Sequence, residues 1–475
     1  MRIISCFVLL IAFAFLASPQ PLNGKEKTKP TKGKRISYYR QIRPIFQQHC
    51  HGCHQPAKQS GKYEMTAFKQ LVKGGESEEP AVVPFQPERS YLMDQINAEN
   101  GEAAMPKGKK PLIESQIKLI AAWIKQGGEN DTPKSAKARY DMKHPPVYTA
   151  PPVITSVTYS PDGKWLAISG YHEVVVHRAD KSGVVARLVG VSERIEKVSF
   201  SPKGDRLAVS GGNPGRTGEL QVWDFQKRKL LLSVTQGHDT LYGASWSKDG
   251  KLVAFGCPDN TLRVVDVKTG KQVLFNGAHS GWVLDTIFSV KSDHVISVSR
   301  DRSMKLVHLK TQRFIDNITS ITPGALKGGL HAIHRHPTKD ELLCGGADGT
   351  PKIYRMIRQK ARRIGDDFNL IRRFPKMTGR LFSVTFSRDG KRIAAGSSYN
   401  GKGEVWVYNY ADAKVVAKTA IPDGGIFSVD FSKDGKQVVA AGFDGYVHIL
   451  DATSGKVIRK FLPVPLKAKK VATAE

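Results

Sequence analysis

The sequence predicts two architectures in one chain: a small all-α domain near the N-terminus, then a larger all-β domain built from seven repeated units. Three observations predict it. Between residues 38 and 128 the apolar residues fall at helical spacing, with Ile42, Ile45 and Phe46 at one end and Ile117, Ile120, Ala121 and Ile124 at the other. From Ile154 onward the text repeats. Between these stretches, residues 129–151 are rich in Asn, Asp, Lys, Pro and Ala, the composition of a linker or of an arm laid along the next domain. At 475 residues the chain also exceeds what one ordinary core holds.

Taken in order, Met1 and Arg2 are followed by an apolar run over residues 3–16 broken only by Ser5 and Cys6, then by Ala17, Ser18 and Pro19. One positive charge, a short apolar core and small residues at its end predict a signal peptide over residues 1–24. The run is shorter than the roughly 20 residues a helix needs to cross a bilayer, so no transmembrane span is expected in the mature chain. The protein is therefore expected to be exported, to the periplasm or another extracytoplasmic space. Residues 25–37, Lys-, Thr- and Gly-rich at their start, are expected to form a flexible leader.

The helical domain, residues 38–128, carries the strongest short motif: Cys50, His51, Gly52, Cys53 and His54. This is the attachment pattern for a c-type haem. Two thiols, Cys50 and Cys53, add to the two vinyl groups, and His54 presents an imidazole nitrogen to the iron from the same turn. A zinc site recruiting His49 and His51, or a redox dithiol, competes for the same residues. Against zinc, no second Cys pair is near; against a dithiol, no βαβ pattern surrounds the motif. A distal ligand is expected 40 to 60 residues on, where Met105 precedes Pro106 in a loop before the last helix. A thioether there raises the reduction potential relative to a second His. Met65 and Met93 lie in ordinary apolar surroundings, while His51 and His144 are poorer substitutes for the ligand. Gly127 and Gly128 are expected to stop the last helix after Gln126.

The residues Ile42 to Phe46 before Cys50, then Cys53 and His54, Met105 and Pro106, and Gln116, Ile117, Trp123, Ile124 and Gly127 at the close make this region resemble the cytochrome c-like domains of exported planctomycete-type proteins. The resemblance implies one covalent haem c, first and last helices packed together over it, and Trp123 in their seam. Ile113 stands where such domains offer a Ser or Thr helix cap, and Ser115 is expected to take that role.

In the repeats, a first-turn position runs through Ser160, Ser201, Ser247, Ser289, His336, Ser387 and Ser432, in steps of 41, 46, 42, 47, 51 and 45 residues. Turns such as Asp162-Gly163, Asp249-Gly250, Asp389-Gly390 and Asp434-Gly435 supply tight-hairpin chemistry. Third strands repeat independently: ELQVWD from Glu219, TLRVVD from Thr261, EVWVYN from Glu404 and YVHILD from Tyr446. With Trp223-Asp224 and Gly237-His238, residues 152–465 resemble the WD-repeat family, which implies an all-β seven-bladed propeller with a protein-binding face. The family's His and Asp network is expected at His238 with Asp259 and at His279 with Asp301. Pro351 sits inside the third strand of the fifth unit and should weaken pairing there. Residues 466–475 are expected to be a disordered tail.

Of five cysteines, Cys6 lies in the predicted signal, and Cys257 and Cys344, 87 residues apart behind equivalent strands, read as small buried residues. The formal charge of +30 is spread along the chain and points to acidic partners or anionic surfaces. No basic groove with interleaved aromatics and no reading helix is visible, so nucleic-acid binding is not expected. The repeats show no Ser-His-Asp order, carboxylate cluster or metal spacing. His331, His334 and His336 alternate along a strand and read as structural. No catalytic residue is assigned. The function expected is an electron carrier with a redox partner protein, whose repeats dock a second protein; the alternatives are a peroxidase-like haem enzyme and an extracytoplasmic scaffold with an accessory haem.

Overall fold

The computed structural model of the chain describes residues 35–55, 58–98, 101–133, 140–180, 183–320, 327–363, 365 and 367–467. The expected signal peptide over 1–24, most of the expected leader, residues 134–139 of the expected linker and residues 468–475 of the expected tail lie outside the described residues.

The N-terminal part is helical. Ser37 caps its start by accepting a hydrogen bond on Oγ from the Arg40 amide at 3.0 Å, and a wide turn over Tyr38–Ile42 leads into α1, Arg43–His49, with Pro44 in its first turn where no amide is missed. Among the described residues three more α-helices follow: α2, Phe68–Lys73; α3, Tyr91–Ile96; and α4, Glu114–Lys125. Ile42, Phe46, Leu71, Ile96, Ile120 and Ile124 bury completely or nearly so, which is the helical spacing of the sequence turned inward. Trp123 fills the seam, its ring 5.5 Å from Tyr38 and 6.4 Å from Phe46, with Nε1 donating to the Glu129 carbonyl at 3.0 Å.

α4 stops where the glycines predict. Gly127 and Gly128 take positive φ of 107° and 58°, the Gly127 amide donates to the Ile124 carbonyl at 2.8 Å, and the Gly128 amide donates to the Trp123 carbonyl at 3.0 Å. The start of α4 departs from expectation. Ile113 occupies the cap position and Ser115 already lies inside the helix, so the cap is one-sided: the Gln116 side chain accepts from the Ile113 amide at 3.3 Å. A two-stranded ladder, His54–Gln55 with Lys58–Gln59, also interrupts this helical part.

From Val157 onward the chain is antiparallel sheet. Its strands form five four-stranded sheets and one seven-stranded sheet, so the seven units expected from the repeats occupy six sheets rather than seven separate blades. The cause is local. The strand Val184–Phe200 runs for 17 residues without a break, pairing at Val174↔Leu188 with the first unit and at Phe200↔Leu207 with the second. No Pro or Asp-Gly stands within it to turn the chain.

Four of the seven units, at Ser160, Ser247, Ser387 and Ser432, open on the same hairpin. Ser247 Oγ donates to Asp249 Oδ1 at 2.6 Å and accepts from the Leu252 amide at 2.9 Å, and Ser387 and Ser432 repeat both bonds. The glycine that follows each Asp, at 250, 390 and 435, takes φ near +70°, the conformation only Gly adopts without strain. In the fifth unit His336 stands in for Ser, its Nδ1 accepting from the Thr338 amide at 3.3 Å. Pro351 falls just outside its strand, Lys352–Arg355, so no ladder amide is lost there, and its carbonyl accepts from Phe374 at 3.0 Å.

The first and last sheets share a core of Ile154, Val157 and Ile168 with Val439, Val447 and Ile449. The Ile154 amide donates to the Gly442 carbonyl at 2.9 Å, and the Val157 amide to Ser428 Oγ at 3.0 Å. Across this junction the C-terminal residues return onto the first unit. His177 Nε2 bonds the Pro463 carbonyl at 2.7 Å, and Tyr148 bridges Leu466 in parallel, its carbonyl accepting from Lys467 at 2.8 Å. Beneath Tyr148 lies a buried acid: Glu173 accepts from Tyr148 Oη at 2.8 Å and from Arg187 Nε and Nη2 at 2.7 and 2.6 Å.

The helical part rests on the sheets through α1, which packs on the strands Thr217–Asp224 and Lys229–Gln236. Tyr39 is the pin of this contact. Its ring lies 5.6 Å from both the Arg43 and Arg216 guanidinium groups, and its hydroxyl accepts from Arg216 Nη1 at 2.9 Å.

Candidate functional site

The cysteine motif begins where α1 ends. The Cys50 amide donates to the Phe46 carbonyl at 2.8 Å, and the Cys50 carbonyl then accepts from the amides of Cys53 at 3.0 Å and His54 at 3.1 Å. One tight turn therefore carries both thiols and the imidazole. Cys50 is half-buried against the helical core and Cys53 is exposed, and both are free thiols. Burial pushes the Cys50 thiol up to about 12. His54 is buried, its ring 5.3 Å from that of Tyr63, and its carbonyl accepts from the Met65 amide at 2.9 Å.

Met105 packs against the same core as Cys50, with its amide donating to the Gln95 carbonyl at 2.8 Å. Met65 and Met93 are buried core residues, as their surroundings in the sequence predict. His144 stands apart from this set, exposed on the arm and bonded to Asp141 at 3.1 Å. His51 is buried next to the motif, and burial pushes its imidazole down to about 3. The Nε2 atoms of His49 and His51 have no hydrogen-bond partner among the described residues. Among those residues no three His, Cys, Asp or Glu side chains converge as a zinc centre requires.

The histidines of the repeats resolve differently from one another. His279 Nδ1 bonds Asp301 Oδ2 at 2.9 Å and its Nε2 bonds Ser297 Oγ at 2.8 Å, as expected. Burial acts to raise the Asp301 carboxyl, but hydrogen bonds from His279, Ser303 and the Ser280 amide outweigh it and hold the group well below the usual carboxylate range. The second expected pair does not form: His238 is exposed, and Asp259 is held by Arg263 at 2.7 Å and by Thr261. A pair the sequence reading missed, His448 with Asp444 at 2.8 Å, lies in the last unit, where His448 stands four residues after its Asp as Arg263 does after Asp259. His334 is half-buried, accepting on Nδ1 from the Phe386 amide at 3.3 Å, and desolvation pushes it down to about 3. His334 and His336 both pack on Phe386, and His331, His334 and His336 form no metal-binding group among the described residues. Cys257 and Cys344 are buried in sheet cores.

A cavity of about 1240 Å³ opens among the loops of the sheets. Its wall includes Arg194, Glu196 and Lys197 from the strand Val184–Phe200 and Trp282, Arg300 and Arg380 from later units, so the set is spread from position 194 to position 380 of the sequence. Glu196 lies 2.5 Å from Arg194, yet burial pushes its carboxyl up to about 7, with Asp239 acting in the same direction. A carboxyl whose folded value stands above its ordinary 4.5 binds extra protons in the folded chain. Its stabilising contribution is full below that ordinary value and is lost as pH rises through about 7. Glu196→Gln is therefore expected to be more stable than the native chain at pH 8, on the order of 1–3 kcal/mol, and to lose that advantage at pH 5. Thermal melts at the two pH values check this; a native chain more stable than the variant at pH 8 contradicts it.

Comparison with known proteins divides along the same line as the fold. Residues 50–108 match the family described as Planctomycete cytochrome C, and residues 144–175, 229–266 and 417–451 match the WD domain, G-beta repeat. Among curated proteins the chain is similar to the WD repeat-containing protein 91 homolog of Dictyostelium discoideum, 29% identical over 109 residues, which is 23% of this chain and 14% of that protein. It is also similar to eukaryotic translation initiation factor 3 subunit I of Aspergillus terreus, 26% identical over 250 residues, 50% of this chain and 69% of that protein. The subunit I of Coccidioides immitis is 25% identical over 251 residues, 50% of this chain and 68% of that protein.

Proposed function

We propose that this chain, a cytochrome c-like segment fused to WD repeats, is an exported c-type cytochrome that transfers electrons while its repeats serve as a protein-interaction platform. The observation that carries the proposal is the turn that places Cys50, Cys53 and His54 together at the end of α1, with Met105 packed on the same core as Cys50. Two free thiols, one imidazole and one thioether are the donor set a haem c takes. Cys50 and Cys53 would hold it through thioether bonds, and His54 and Met105 would ligate the iron. Bound there, the group would supply a one-electron couple.

The chain's own residues do the rest. Tyr38, Phe46, Phe68 and Trp123 make an aromatic core beside the motif that keeps water from one side of it. The Cys50 carbonyl, by accepting from two amides of the motif, fixes the turn before any cofactor is attached. The seven units, with the core shared between the first and last sheets and the return of Pro463 and Leu466 onto the first unit, support a ring of seven blades closed at that junction. Such a ring presents loops from every unit on one face, a geometry suited to holding a partner protein. A potentiometric titration of the purified holoprotein is expected to give one reversible one-electron transition. Sustained turnover of peroxide at the iron would move the assignment to a haem enzyme.

A further inference from the structure

We propose that the cavity among the loops of the sheets is a docking mouth for an acidic peptide segment that carries aromatic side chains, contributed by a partner protein. This rests on the reading of the repeats as an interaction platform and names the chemistry of the partner.

Of the acids on the wall, Asp285 is held by Lys197 at 3.3 Å and by the Ile333 amide at 3.2 Å, Glu196 is held by Arg194 at 2.5 Å, and Glu193 has no ion-pair partner among the described residues. Arg300 and Arg380, both exposed, have no ion-pair partner among the described residues. They flank His331, whose imidazole is pushed down to about 4 by burial and by these two cations, so it adds no charge of its own. Two guanidinium forks that face a cavity and lack a carboxylate are a recognition element for one brought from outside.

Aromatic groups alternate with them. The Arg300 guanidinium lies 4.8 Å from the Trp282 ring, which stacks with Tyr242 at 6.0 Å, and Phe382 meets Phe427 at 5.2 Å. Phe443 lines the same cavity and is exposed. One cation resting on an aromatic face, with further rings on the same wall, suits a ligand that carries both carboxylates and rings. At about 1240 Å³ the space exceeds the roughly 300–1,000 Å³ of small-molecule sites, which favours a segment of several residues. The chain's net charge of +30 draws an acidic partner from a distance.

The mouth also adjoins the helical part. Pro214 lines the cavity, and Arg216, two residues on in the same turn, holds Tyr39. A segment seated in the mouth therefore brings its parent protein beside the cytochrome c-like domain.

Fluorescence anisotropy on the full holoprotein tests this with labelled octapeptides: alternating Glu and Phe, alternating Lys and Phe, and alternating Glu and Gly. The Glu-Phe peptide is expected to bind at least about tenfold more tightly than either control, and binding is expected to weaken as salt rises. Arg300→Ala with Arg380→Ala should lower that affinity at least about tenfold, while the Arg300→Lys, Arg380→Lys pair, which keeps the charge, should retain most of it. Hydrogen exchange should show protection by the peptide over residues 282–300 and 380–383. Equal binding of the Lys-Phe peptide, no effect of the alanine pair, or no binding of any peptide overturns the proposal. Protection confined to other loops of the sheets overturns this mouth as the site while leaving the platform reading standing.

Discussion

Arg187→Met is expected to cost the β part about 3–5 kcal/mol of stability, read as a lowered urea midpoint. Glu173 is fully buried, and three of the bonds to its carboxyl are known: Arg187 Nε at 2.7 Å, Arg187 Nη2 at 2.6 Å and Tyr148 Oη at 2.8 Å. Removing the guanidinium leaves a buried carboxylate with one neutral donor, and the desolvation of that charge is no longer offset. The same substitution frees the Pro146 carbonyl, which Arg187 Nη2 holds at 2.6 Å, so the arm over residues 140–148 loosens with it. Tyr148→Phe removes one neutral donor and should cost only about 1 kcal/mol. In the double variant Glu173→Gln, Arg187→Met the loss should be smaller than the sum of the single losses, because the unpaired charge is gone. A loss below about 1 kcal/mol for Arg187→Met would mean that Glu173 is rehydrated rather than stranded.

Met105→Ala should leave the covalent haem in place and abolish the spectrum of a low-spin, six-coordinate iron. The thioether is the only predicted ligand of the iron that is not carried on the turn of residues 50–54, so its loss opens one axial position without disturbing attachment. The reduction potential of the variant should fall, since a thioether favours the ferrous state relative to nitrogen or oxygen donors that replace it. An unchanged spectrum would remove Met105 from the site and turn attention to His51, whose buried Nε2 has no partner among the described residues.

Much of this was written in local sequence. The glycine stop at Gly127 and Gly128 and the serine hairpins at Ser247, Ser387 and Ser432 need only a few neighbouring residues to form, so their residue types announce them. The cysteine turn is local for the same reason: the bonds that the Cys50 amide and carbonyl make span three or four residues. What escaped was decided at long range. The return of Leu466 to Tyr148 joins residues more than 300 positions apart, and neither end carries a pattern that names the other. The fusion of two units by the strand Val184–Phe200 turns on the absence of a turn signal, which the seven-fold repeat count hid. At His238 the motif was present and the partner was not, because Arg263 satisfies Asp259 from the neighbouring strand position. The charged mouth escaped because its wall draws on residues from 147 to 443.

The most direct test of the central assignment is the visible spectrum of the denatured, pyridine-treated mature protein, expressed in a host that has cytochrome c maturation machinery. The assignment predicts one haem per chain, retained through denaturation, with the band position of a haem whose two vinyl groups are both saturated. A colourless protein, or haem lost on denaturation, would contradict it and return Cys50, Cys53 and His54 to zinc or dithiol chemistry.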